Sequence, residues 1–180
     1  MKKYFFLLIS IGTLLMIIVM QQTGAPLKTN DTPNGMLDLE FAGSTSKADL
    51  VINAWKKTEG TDNIKAAKLN TELDFIFLLF YSIYLHQACR SIAGLHTGTV
   101  SNIGLILANG AIAVGILDIL ENIGMLLSLH GYINSTVTVL TFTFSMIKWM
   151  LVLSALLYLL VGGAAYLFRK KIKQPKVFKP

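Results

Sequence analysis

Four long stretches of this chain are apolar and almost free of charge, and that pattern restricts the fold more than any other feature. Residues 4–20 carry no charge at all; residues 73–93, 103–129 and 137–168 carry only a few. A bilayer core is about 30 Å thick, so a helix rising 1.5 Å per residue crosses it in about 20 residues. The first stretch is just sufficient and the last two are long enough to tilt. The expected fold is an all-α integral membrane protein, a four-transmembrane-helix bundle with a small extracytoplasmic cap between spans 1 and 2. Along the chain this gives a first transmembrane helix (1–20), an extracytoplasmic loop (21–71), a three-helix transmembrane region (72–168) and a basic cytoplasmic tail (169–180).

Composition agrees with a membrane location. Of 180 residues, 53% are hydrophobic and 14% charged, which is too apolar for a disordered chain. The lone cysteine, Cys89, excludes a disulfide scaffold. The net charge of +6 reads as a topology signal rather than a nucleic-acid surface, because no aromatic-interleaved basic stretch accompanies it. Lys2 and Lys3 precede span 1, Arg90 closes span 2, and Arg169, Lys170, Lys171, Lys173, Lys176 and Lys179 follow span 4. Four crossings put all of these on one side, which the positive-inside rule makes the cytoplasm for both termini. Residues 1–20 read as an uncleaved signal anchor, since the run is long for a signal peptide and Pro26 follows the small-residue site Thr23-Gly24-Ala25. The expected location is the cell membrane, with a bacterial inner membrane preferred.

In the outer loop, residues 21–36 are rich in Thr, Asn, Gly and Pro and read as a tether. Leu37-Asp38-Leu39-Glu40-Phe41-Ala42 alternates apolar and acidic residues, the period of a short strand ended by Gly43. Ser46 and Asp49 have capping-box spacing and open an amphipathic helix to about Lys57, with Leu50, Val51, Ala54 and Trp55 as its apolar stripe. A stripe ending in Trp suits the headgroup boundary or the top of the bundle. Gly60 breaks that helix, and another starts near Asp62 or Asn63. The triplets Asn30-Asp31-Thr32 and Asn134-Ser135-Thr136 match the glycosylation pattern, which matters only in a eukaryotic host.

Ionisable groups inside spans cost about 2.5–3.5 kcal/mol each on insertion scales, so they face the bundle and find partners. Asp118, Glu121 and Asn122 share one face of span 3, with the small residues Gly115 and Ala111 one and two turns away. Lys148 on span 4 has Ser145 and Thr141 on its own face and Trp149 beside it. Spans 3 and 4 are joined by a short loop and therefore antiparallel neighbours. Counting inward from that loop puts Lys148 at the depth of Asp118 and Glu121, so the lysine is predicted to pair with one of them. On span 2, Asp74 marks the outer end, and Tyr81 and Tyr84 reach the depth of the cluster. A second group, His86 and Arg90, lies toward the cytoplasmic end of the same span.

Two readings of the cluster stay open. One lysine neutralises one carboxylate and the group fixes helix register, or the spare carboxylate serves a ligand, a proton or a reaction. No histidine pair has ligand spacing and there is no CxxC, so no metal or cofactor is expected. GxSxG, HExxH and phosphate-loop patterns are absent as well. The leading expectation is a non-enzymatic accessory or interaction subunit, with membrane lipids and other membrane subunits as partners and no nucleic acid. The alternatives are a lipid- or lipophile-binding or modifying protein built on the Asp/Glu/Lys cluster, and proton or ion translocation. Whether the cluster faces a cavity or is packed solid discriminates among them.

Overall fold

The computed structural model describes residues 2–57 and 63–172. Four long helices run α1 Lys2–Gly24, α4 Asn63–Ala93, α5 Thr99–Leu129 and α6 Ser135–Ile172, and two short ones, α2 Met36–Glu40 and α3 Thr45–Lys56, form a cap between α1 and α4. Every described element is helical. The four long helices are long and apolar enough to cross a membrane. Their outward faces are apolar too. On α1, Leu8, Leu14 and Leu15 are 58–63% exposed, which water would penalise and hydrocarbon would not.

α1 packs on α4, α4 on α5, and α5 on α6; α4 also touches α6, whereas α1 and α6 barely meet. The α5–α6 turn follows from local chemistry. Gly131 takes φ +92°, and Tyr132 N–H bonds back to the Leu127 carbonyl at 2.9 Å while Gly131 N–H bonds to Ser128 at 3.0 Å. This is a Schellman closure, which needs a residue free to adopt a positive φ. Asn134 Oδ1 then caps α6 by accepting from Val137 N–H at 3.0 Å. The turn is thus as short as the sequence suggested, and Asn134 serves as a helix cap. At the other end, His96 is buried in the α4–α5 turn and its Nε2 donates to the Gly162 carbonyl at 2.9 Å, pinning that turn to α6.

The small residues mark the close approaches. A Cβ on Gly115 would come within 3.3 Å of Ser82 Cβ on α4, and one on Gly124 within 2.1 Å of Thr141 Oγ1 on α6. Gly162 approaches Ile92 in the same way.

The cap differs from the sequence reading in three respects. Residues 36–40 form a helix, not a strand. A strand would leave its backbone groups unpaired, and no other described segment is extended to receive them. Instead Asp38 accepts from Asn34 N–H and Nδ2 at 2.9 Å each, which starts a helical turn. Second, the N-cap of α3 is Ser44, whose Oγ accepts from Lys47 N–H, rather than Ser46. Third, the buried face of α3 is Ala48, Ile52 and Trp55, with Val51 packed against it; Leu50 is 71% exposed. Trp55 is fully buried and does not sit at a lipid boundary. Its Nε1 donates to the Leu27 carbonyl at 2.9 Å and lies 3.1 Å from Thr32 Oγ1. The cap core continues into the bundle through Ala67, Met125 and Leu129. Asn63 Nδ2 ties α4 to the Pro26 carbonyl at 2.9 Å, and Asn70 Nδ2 ties it to Met20 and Thr23 at the end of α1.

The break expected at Gly60 and a helix start at Asp62 fall outside the described residues, as does the tail from Lys173 onward; α4 is helical from Asn63.

Candidate functional site

The short α5–α6 turn sets Lys148 against the acidic face of α5, where it meets both carboxylates. Nζ lies 2.9 Å from Asp118 Oδ1 and 2.8 Å from both oxygens of Glu121. The helical offsets of three and four explain why Asp118, Glu121 and Asn122 arrive together. All three are at most 1% exposed, and Lys148 is 6% exposed.

Close packing at Gly115 brings α4 near enough to contribute. Tyr81 donates its hydroxyl hydrogen to Asp118 Oδ2. One and a half to two turns outward on α4, Asp74 Oδ2 accepts from Asn122 Nδ2 at 2.8 Å. Asp74, a secondary candidate from the sequence, therefore joins the cluster from the outer part of the span. Tyr84, expected at the same depth, stacks on Phe6 of α1 with ring centroids 5.7 Å apart. Ser145 and Thr141 are buried as expected but bond their own helix, donating to the Thr141 and Val137 carbonyls.

Sequence reasoning missed Glu40. The helical turn of α2 sends it down from the cap onto α6, where Oε2 accepts from Trp149 Nε1 at 3.2 Å and lies 3.6 Å from Lys148 Nζ. Its signal was present, an acid among apolar residues, but the alternation was read with a period of two. With a helical period Met36 and Glu40 share a face, and both line the site. Three carboxylates thus surround Lys148, whose Nζ also lies 5.7 Å from the Trp149 ring centroid.

The second group is not brought in. His86 Nδ1 donates to the Ala108 carbonyl at 2.8 Å and fixes α4 against α5, while Arg90 is exposed near the end of α4. Among the described residues, no group of three His, Cys, Asp or Glu side chains is placed to hold a metal ion.

The cluster is not packed solid. It forms one wall of a cavity of about 990 Å3, at the upper end of the range for small-molecule sites. The cavity lies between α1 and α6, the two helices that barely meet, with α4 and α5 behind it and residues of the cap at its outer end. Along α4 it extends from Asn70 to Leu85, about 22 Å at the helical rise. The polar cluster lies toward its outer end, where Met20, Met36, Leu37 and Met125 also line it. The lining becomes mainly apolar toward the inner end, with Leu85, Val152 and Leu156 beside Thr13 and Tyr84. Asn122 has no exposed surface, lines the cavity, and carries an Oδ1 with no protein partner.

No family model, curated protein or solved structure matches the chain.

Proposed function

We propose that this is a multi-pass membrane protein that binds an amphiphile in the cavity between α1 and α6. One observation carries the reading: an elongated cavity of ligand size is apolar toward one end and lined by a buried, ordered polar cluster toward the other. A cluster that only fixed helix register would be surrounded by packed side chains, because an adjoining void removes contacts without adding any. The lean contact between α1 and α6 supplies a lateral route from the lipid phase.

In the proposed orientation both termini are cytoplasmic and the cap lies outside, in a bacterial inner membrane. The orientation rests on the basic flanks. The cavity then opens within the outer half of the bilayer. An accessory-subunit role would draw on the exposed faces of α1 and α6, which lipid covers equally well, so the cavity has priority. Translocation is disfavoured because the polar path stops below the cluster. There His86 is bonded to backbone, and Asn109 is exposed on the outside of α5.

Native mass spectrometry of wild type and Ile17→Trp, released from their own membrane in mild detergent, tests the proposal. Ile17 lines the cavity from α1, and an indole there projects into it and narrows it. A stoichiometric amphiphile is expected on wild type, with at least tenfold lower occupancy on the variant. An empty wild type, or equal retention by both, would overturn the proposal.

A further inference from the structure

We propose that the polar end of the occupant is a protonated amine; the inference rests on the amphiphile reading above and specifies its chemistry. The charge balance of the site is the starting point. Three carboxylates (Glu40, Asp118 and Glu121) surround one buried cation, Lys148, and a fourth, Asp74, joins the cluster through Asn122. That cation is already committed. Its Nζ donates to Asp118 at 2.9 Å and to Glu121 at 2.8 Å and faces Glu40 at 3.6 Å, so its charge is already answered by protein carboxylates and an anionic headgroup would have to displace one of them. The remaining basic residue on the cavity wall, Lys28, is exposed at the outer rim.

The acceptors, in contrast, are in surplus. Asp74 uses Oδ2 on Asn122 and Glu40 uses Oε2 on Trp149, and each carboxylate retains acceptor capacity toward the cavity it lines. Asn122 Oδ1 is the independent indication. It is a fully buried acceptor with no protein donor, a condition that is unfavourable unless a donor arrives. An ammonium has three N–H donors and no acceptor, which matches this deficit. Aromatic rings complete the environment: Phe77 and Tyr81, with centroids 5.0 Å apart, and Trp149 all line the cavity. Such faces attract a desolvated cation. The ligand class is therefore a membrane-borne amine with an apolar tail, whose head lies among Asp74, Asn122 and Glu40.

The protein is reconstituted in phosphatidylcholine nanodiscs at neutral pH and labelled with a dodecylamine carrying a photoactivatable diazirine in its tail. Tail-matched dodecylamine, dodecanol and dodecyl phosphate compete for the label, each expressed as mole fraction in the disc. Labelling is expected to be saturable, to map to cavity residues on α1 and α6, and to be displaced by dodecylamine at least tenfold more effectively than by the alcohol or phosphate. In Asp74→Asn, whose amide oxygen still accepts from Asn122, the amine's advantage is expected to fall to within about threefold while labelling persists. Saturable labelling displaced equally by all three competitors overturns the amine assignment and leaves the amphiphile reading intact. Labelling that does not saturate, or falls outside the cavity, overturns both.

Discussion

Lys148 is where a single substitution does most. Removing it strands three carboxylates around an apolar side chain, and breaking a buried ion pair costs about 3–5 kcal/mol. We expect Lys148→Met to lose stability of that order in detergent unfolding. Glu121→Gln should restore more of the loss than Asp118→Asn. Glu121 rests both oxygens on Lys148, whereas Asp118 keeps the Tyr81 hydroxyl. The opposite ranking would show that Asp118 bears the lysine's charge. This pairing was legible in the sequence because it needed only helix rise and one short loop. Glu40 was not, because its position depends on a cap fold that no periodicity encodes: the carboxylate is 108 residues from the lysine it approaches. Asp74 was legible in part. Its depth could be counted, but its acceptance from Asn122 required the close α4–α5 approach at Gly115.

Among the elements, the cap and the α5–α6 seam are the most informative to perturb. Trp55→Phe keeps the ring buried but removes the Nε1 donor that reaches Leu27 and Thr32. An expected loss of about 1–3 kcal/mol should appear as faster hydrogen exchange in residues 27–56, with α5 and α6 unchanged. Equal acceleration in α5 would mean that cap and bundle unfold as one. On the seam, Gly124→Ala forces a Cβ into Thr141, and overpacking of this kind costs about 1–3 kcal/mol. The variant should melt lower, and shortening the partner with Thr141→Ser should leave that deficit unrelieved, since the serine retains the Oγ in contact. The small-residue face of α5 was readable from Gly115 and Ala111. The α3 face was displaced by about one position, because Leu50 looks apolar in sequence yet the helix is oriented by Trp55, whose hydrogen-bond partners lie more than twenty residues away.

Taken as a whole, the molecule makes a topological prediction that its own cysteine content makes simple to test. Cys89 is fully buried, so it contributes little labelling background. In intact bacterial cells, Lys28→Cys should react with a membrane-impermeant maleimide, and Leu95→Cys, exposed in the α4–α5 turn, should react only after permeabilisation. The reverse pattern would invert the proposed orientation while leaving the bundle unaltered. The helical architecture was legible because hydrocarbon thickness sets a length that can be counted. The cavity was not, since it arises from what fails to touch, and α1 and α6 each look like an ordinary apolar span.

The distance along the chain between Glu40 and Lys148 also has a consequence for the order of synthesis. Glu40, Asp74, Asp118 and Glu121 all emerge from the ribosome before the one lysine that answers them. A nascent chain that stops before Ser135 therefore holds three acids in its would-be spans with no cation to meet them, and the last helix to be made proofreads the bundle. Fragments ending in the α5–α6 turn should be cleared by membrane proteases far faster than the full chain, and supplying α6 as a separate polypeptide should prolong their survival.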